Sequence, residues 1–273
     1  VAMSITLGIL RGFENNLVEK ISGFEAHIRV ESIRGEIDHD DDYVHLLRTH
    51  PQIITVAPFT NLETMIRKGD DTEGVILECM RESDFISMLY PSKRDLAGTV
   101  DFREKEEVKG VYLGFGAADY LHAAVGDTVM ALFVDGIPSV FNPIKRYPLI
   151  VTGIFTTGMK EFDANYAYAP LSFAAEVKKN DREISGYQIM LTDPLLADDV
   201  SEWINRESAF HYVPVTWRER NLLLFKWLQT QKAPIIITFG IIALVAMVNI
   251  ISTLVMIRSE ERRVGKECRS RWS

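Results

Sequence analysis

PIIITFGIIALVAMVNIISTLVMI, residues 234–257, is a run of 24 residues without a charge. At about 1.5 Å rise per residue, a helix of that length reaches about 36 Å, enough to cross a hydrocarbon core of about 30 Å with some tilt. Helices buried in soluble cores seldom pass about 14 residues without a charge. The run is therefore read as a transmembrane helix. Lys226 and Lys232 precede it, with Trp227 between them, and Arg258, Arg262 and Arg263 follow it. The basic excess after the span points its C-terminal end to the cytoplasm and the acidic bulk of the chain to the far side, in the periplasm or outside.

Working upstream, Thr216-Trp217-Arg218-Glu219 has the form of a capping box, in which the Thr hydroxyl and the Glu carboxylate each satisfy a backbone N–H of the other. No stop signal follows before the membrane. Helix from Thr216 to Ile257 would be about 63 Å long, so part of it is a stalk. Pro234 lies inside and removes one backbone bond, which predicts a hinge near Ala233. At the other end, Ile5, Ile9, Phe13, Leu17 and Ile21 recur every fourth residue, with Leu10 and Val18 beside them, and Gly23 closes the stripe. Residues 1–22 are read as the lower end of a first span, whose upstream part is missing, and its stalk. The alternative is a peripheral amphipathic helix.

Between these helices the chain reads as α+β. Strands fit Ala26–Val30, Ile53–Ala57, Tyr187–Leu191 and Phe210–Val215. A short helix through Tyr43, Val44, Leu46 and Leu47 follows the acidic segment His39–Asp42. Leu62–Arg67 and Gly74–Met80 form a hairpin around Gly69-Asp70-Asp71. Asp193-Pro194 caps a helix whose buried stripe is Leu196, Val200, Trp203 and Ile204. The order βαββ, insertion, βαβ describes a split α/β sandwich (23–82 and 182–215) interrupted by a β-rich domain (83–181). That insertion carries strands at Gly110–Leu113, Thr128–Val134, Leu149–Phe155 and Asn165–Ala169, with helices at Ala117–His122 and Leu171–Lys179. Stalk and span follow at 216–257, and a cytoplasmic start at 258–273.

Charge excludes some functions. The net charge is −8, and residues 1–257 carry 24 basic against 35 acidic side chains, or −11. So acidic a surface repels phosphates and argues against nucleic-acid binding. Two cysteines, Cys79 and Cys268, make no disulfide framework, and Cys79 lies in the apolar run Val75–Met80. His39, Asp40, Asp41, Asp42, His45 and His50 have metal-ligand chemistry, but carboxylates also favour a helix N-terminus, and no second ligand cluster supports a metal. Gly114-Phe115-Gly116 lacks the third glycine of a nucleotide loop and reads as a turn. No P-loop, GxSxG or HExxH occurs. The residues offer no catalytic constellation and no cofactor.

Asp135–Arg146 (DGIPSVFNPIKR) is a long loop between two strands that pair. Ile137, Pro138, Val140, Phe141, Pro143 and Ile144 give it an apolar, proline-stiffened tip suited to docking a partner, since stiffness lowers the ordering cost on binding. The other reading is a tip folded back on its own domain.

Several blocks resemble the permease subunits of the lipoprotein-releasing (Lol-type) ABC transporters, within the MacB-like and FtsX-like group. Arg11-Gly12-Phe13-Glu14, Gly23-Phe24-Glu25-Ala26-His27-Ile28, His50-Pro51-Gln52-Ile53 and Val56-Ala57-Pro58 resemble the family's segments after its first span. Leu113-Gly114, Leu121 and Val125-Gly126-Asp127-Thr128-Val129 resemble its G…L…VGDxV signature. Val151-Thr152-Gly153-Ile154-Phe155, Gly158 and Phe162-Asp163-Ala164-Asn165-Tyr166-Ala167-Tyr168 resemble its VxGxF…G…YDxNxAY block. The resemblance implies an inner-membrane protein with four spans and a periplasmic domain between the first two. It also implies a second permease subunit and a separate cytoplasmic ATPase. Acylated lipoprotein cargo would pass from the membrane to a periplasmic lipoprotein carrier, and in one branch a hairpin hook in the interval of Asp135–Arg146 docks that carrier. The third and fourth spans do not occur in the sequence. Val264–Ser273 does not resemble the family's cytoplasmic loop and reads as translated vector sequence. A MacB-like efflux permease, an FtsX-like regulator of cell-wall hydrolases and an extracytoplasmic sensor domain stand as alternatives.

Overall fold

The computed structural model describes residues 25–32, 35, 37–89, 96–133, 144–208 and 212–270, together with Gly8, Gly12, Asn16, Val18, Ile21 and Gly23. These six N-terminal residues are all helical. The chain divides into two units, Asn16–Arg220 and a second comprising Val1–Asn15 and Asn221–Ser273.

The first unit is mixed α+β and is organised by one long hairpin. β1 is Ile28–Ser32 and β2 is Ile37–Asp38; helix α1, Asp41–Arg48, leads to β3, Ile53–Lys68, and β4, Asp71–Met80. β3 is a single 16-residue strand, where the sequence suggested two. Pro58 falls between those two expected segments. It stands just outside the β3–β4 ladder, which begins at Phe59 opposite Met80, so its missing N–H removes no rung there. Gly69 turns the hairpin with φ +62°, the left-handed region an L residue resists.

Helix α2, Glu82–Leu89, precedes β5, Leu96–Gly98, and β6, Lys109–Gly114. Then come α3, Phe115–Tyr120; β7, Thr128–Phe133; β8, Lys145–Phe155; α4, Lys160–Asn165; β9, Tyr166–Pro170; and α5, Leu171–Lys178. Strands β10, Glu183–Ile184, and β11, Gly186–Leu191, lead through a 3₁₀ turn at Pro194–Leu196 to α6, Ala197–Glu207. β12, Tyr212–Thr216, and α7, Trp217–Arg220, complete the unit.

β2 and β10 pair separately, and the other ten strands form one sheet, in the order β12-β1-β11-β3-β4-β9-β6-β8-β5, with β7 pairing both β3 and β8. That last pairing closes a ring: β3-β4-β9-β6-β8-β7 and back to β3. Inward residues alternate along every wall, among them Leu62 and Ile66, Val75, Leu77 and Cys79, Val111 and Leu113, Val129 and Ala131, Ala167 and Ala169. Helices α3 and α5 complete this core with Ala117 and Ala118 and with Phe173, Ala174 and Val177. The expected β-rich insertion, 83–181, is therefore not self-contained: two of its six barrel walls come from the β3–β4 hairpin, inside the segment 23–82. Short runs punctuated by Gly and Asp marked the strands but could not say which neighbours they share.

The first half of β3, with β11, β1 and β12, makes the α/β layer. Val56 to Thr60 are buried in succession, as expected where both faces are covered. Tyr187 and Gln188, neighbours on β11, face opposite ways. Tyr187 meets Tyr43 of α1 at 5.7 Å between ring centroids. Gln188 faces the other side, where Phe85 and Met88 of α2 join Ala57, Met80, Phe102, Tyr112, Phe155 and Tyr168 in a second apolar cluster.

In the second unit, α8 runs from Leu222 to Ser270 and continues through Pro234. Its apolar window, Ile236–Arg258, is 23 residues long with mean hydropathy 2.5 and none of it buried, long and apolar enough to cross a membrane. The capped helix that the sequence showed running unbroken from Thr216 is interrupted at Asn221. That residue is in a turn, and its carbonyl accepts the amide of Phe225, 3.2 Å away, at the start of α8.

Candidate functional site

Four charged side chains gather on the α2-facing side of the sheet, where the chain enters and leaves the first unit. Arg29 on β1 donates through Nη2 to Glu78 Oε2 on β4. Gln188 on β11, the cross-strand partner of Arg29, donates to Glu78 Oε1 at 2.6 Å. The Arg29 guanidinium also lies 4.8 Å from the centroid of the Phe59 ring, within cation–π range. Beside this group, Arg220 at the end of α7 pairs with Glu25 at 3.0 Å. All three strand residues are buried.

Burial acts on the two arginines differently. Desolvation is the largest single influence on Arg29 and lowers its pKa, but Glu78, together with Tyr166, Tyr168 and Glu25, outweighs it, and the pKa rises. For Arg220, desolvation and repulsion from Arg29 outweigh Glu25, and its pKa falls. Arg29 is the well-held cation and Arg220 the poorly held one. Burial likewise pushes the Tyr168 hydroxyl well above its ordinary value.

The backbone around this cluster is tied tightly. β1 and β12 pair from Ile28 opposite Thr216. The Trp217 amide donates to the His27 carbonyl at 3.0 Å, and His27 Nδ1 accepts the Leu191 amide at 2.9 Å. The capping box forms as expected: Thr216 N donates to Glu219 Oε2 at 2.9 Å, and Glu219 N to Thr216 Oγ1 at 3.3 Å. Trp217 is fully buried and donates through Nε1 to the Pro194 carbonyl at 2.8 Å, while Arg218 pairs with Asp198. This arrangement ties the segments just before β1 and just after β12 to each other and to the sheet.

Of the residues expected to form a docking tip, Ile144 is 37% exposed just before β8; Ile137, Pro138, Val140, Phe141 and Pro143 lie outside the described residues. Pro234 is exposed, and its carbonyl accepts the Thr238 hydroxyl at 2.8 Å. In the acidic segment, Asp40 is the N-cap of α1, accepting the amides of Asp42 at 2.9 Å and Tyr43 at 3.2 Å. His39 contacts the Tyr187 hydroxyl at 3.2 Å, and the His50 ring packs tilted against Trp203 with centroids 4.7 Å apart. Sequence reasoning missed Arg29, Glu78, Gln188 and Arg220. The signal was Glu78, a lone carboxylate inside the apolar run Val75–Met80.

The motif blocks have structural roles. Gly126 adopts φ +98°, and the Asp127 carboxylate accepts Lys68 Nζ at 2.6 Å and the Ala124 amide at 2.8 Å. Those two donors hold the Asp127 pKa below its ordinary value, the lysine contributing most. A Cβ on Gly153 would lie 2.2 Å from the Tyr112 ring, and one on Gly114 would lie 2.3 Å from the Asp163 carbonyl. Buried Asp163 accepts the Thr157 amide at 2.7 Å, its hydroxyl at 2.8 Å and the Gly158 amide at 3.2 Å. Residues 1–207 match the MacB-like periplasmic core domain family. The chain belongs to this family.

As a MacB-like core protein it has relatives with Lol names. It is 24% identical over 267 residues to the lipoprotein-releasing system transmembrane protein LolC of Neisseria meningitidis serogroup B, covering 96% of this chain and 63% of that protein. It is also 24% identical over 262 residues to LolE of Haemophilus influenzae, covering 92% of this chain and 61% of that protein. The chain thus spans about three fifths of the length of the curated relatives it matches. Among solved structures, it is similar to the periplasmic region of MacB from Actinobacillus actinomycetemcomitans. That match has TM-score 0.48 and 14% identity, covering 75% of this chain and 95% of that one. It is also similar to the extracellular domain of the noncanonic ABC-type transporter YknZ from Gram-positive bacteria, with TM-score 0.46 and 12% identity, covering 69% and 99%.

Proposed function

We propose that this chain is part of an ABC transporter permease subunit of the inner membrane, with its MacB-like core in the periplasm, that releases lipoproteins and passes them to a soluble carrier. The observation that carries the reading is the similarity to LolC and LolE over more than nine tenths of the chain. The apolar window of α8 supports a membrane anchor. In this reading a separate ATPase subunit hydrolyses ATP, a second permease subunit completes the cavity, and acylated lipoproteins are the cargo. The first unit works as a mechanical and docking module, Pro234 lets the membrane helix hinge, and the loop 135–146 grips the carrier.

Reconstitution tests the whole reading: the full-length permease, with its ATPase and partner subunit in proteoliposomes, should release an acylated lipoprotein to a periplasmic carrier only when ATP is supplied. Release without ATP, or none with the complete set, rejects it. Docking has its own test. Phe141→Asp and Ile144→Asp should weaken carrier capture in a pull-down without lowering the melting temperature, and unchanged capture rejects the docking role. A MacB-like efflux permease or an FtsX-like regulator would instead co-purify with a small exported cargo or a cell-wall hydrolase.

A further inference from the structure

The charge cluster is not evenly built. Arg29, Glu78 and Gln188 sit on three strands of one sheet and hold one another through both carboxylate oxygens of Glu78. Glu25 and Arg220 lie outside the β1–β12 ladder, which starts at Ile28 and Thr216. Each is on backbone leading away from the sheet. Two buried donors, Arg29 Nε and Arg220 Nη1, have no hydrogen-bond partner among the described residues. A buried network that leaves donors unmade is poorly designed for one static state, because each unmade bond forfeits the group's hydration. Its asymmetry supplies a reason. Arg220 is the poorly held cation, and the Glu25 charge acts on Arg29 as well as on Arg220.

From this we infer that Glu25–Arg220 is a releasable clasp between the two segments that leave β1 and β12, and that Glu25 exchanges Arg220 for the unmade Nε–H of Arg29 when it opens. Arg220 is the last residue of α7, and its side chain is already 18% exposed, so it leaves toward water. Glu25 keeps a cation, and no carboxylate is stranded in the core. The Arg29–Glu78–Gln188 group stays closed in both states and fixes the sheet against which the clasp works. The device deepens the mechanical role proposed above and rests on that reading for what drives it.

Hydrogen exchange on the full chain reads the clasp directly, because the Trp217 amide bonds across to His27 beside it. Glu25→Gln should speed exchange of the segment 217–221 at least tenfold without nucleotide, while the β3–β4 hairpin exchanges as in the parent. Unchanged exchange at 217–221, or an equal gain in the hairpin, overturns the clasp. A second arm uses the parent permease assembled with its ATPase. The same segment should differ at least tenfold between the nucleotide-free and vanadate-trapped states, and equal protection overturns the claim that the clasp moves. Failure to assemble with any ATPase counts against the transporter reading instead, and leaves the Glu25→Gln arm to decide the clasp.

Discussion

Changing Glu78 to Gln tests whether the buried cluster holds the first unit together. The substitution keeps the size of the side chain and an acceptor for Gln188, but leaves the Arg29 charge with no counter-ion in contact. The side chains are 9% and 2% exposed, so water offers little screening. Removing one partner of such a pair destabilises by about 3–5 kcal/mol, chiefly because the remaining charge stays buried. For a unit of about 200 residues, 1 kcal/mol shifts Tm by about 2–4 °C, so the expected fall is about 6–20 °C. Thermal unfolding of the full chain in detergent, followed by near-UV circular dichroism, measures it. The double variant Arg29→Met/Glu78→Leu removes both charges and should recover most of the loss, since a well-packed apolar pair can match a buried ion pair. A single variant within about 0.5 kcal/mol of the parent would refute the buried-charge argument. So would a double variant no better than the single.

Gly153→Ala drives a methyl group into the fully buried Tyr112 ring and should lower stability by about 1–3 kcal/mol, with the penalty falling away in a Tyr112→Ala background. A full penalty in both backgrounds rejects the contact. For Asp127 the sign follows from its lowered pKa: the folded state holds the proton less tightly than the unfolded chain, so its contribution is present above the unfolded value near pH ~4 and vanishes as pH falls through the folded pKa. Melting curves of the parent and Asp127→Asn should therefore differ at pH 7 and converge as the pH drops below about 4; a gap that widens in acid contradicts the Lys68 interaction.

Local chemistry was the most readable part of this sequence. Asp40, Gly69, Asp193 and the Thr216–Glu219 box each act within a few residues, and each does what its position announced. Strands β7 and β8 alternate between a buried and a more exposed face, while β6 and β9 are buried on both faces; all four were legible as short runs bounded by Gly and Asp. Three things were not. The continuity of β3 through Pro58 depends on where β4 begins. Closure of the barrel depends on β7 returning to β3 across about 60 residues of chain. Helices α2 and α4 carry no strong cap-to-stripe pattern and are fixed by what lies over them, Phe85 against Phe102 and Tyr168, and Asp163 by the Thr157 loop. The charge cluster combined both difficulties, since its members come from residues 25, 29, 78, 188 and 220 and meet only once the sheet is assembled.

That pattern bears on how far the family likeness reaches. The residues that carried it, including His27, Gly126, Asp127, Gly153, Gly158 and Asp163, are taken up in turns, a strand-end bond and close backbone approaches. Such residues are required by the fold in any protein that uses it, whatever it moves or binds. The proposed docking tip at 135–146 is different: Ile137, Val140 and Phe141 lie outside the described residues, and the expectation that they meet a partner rests on their apolar, proline-flanked sequence. Partner choice should therefore track the tip and not the motifs. Exchanging residues 135–146 for the equivalent segment of a permease with another partner should transfer carrier capture while leaving the melting temperature within about 2 °C, since connecting segments tolerate sequence change better than cores do. If capture instead stays with the parent body, the motif-bearing scaffold itself selects the partner and the tip has no part in recognition.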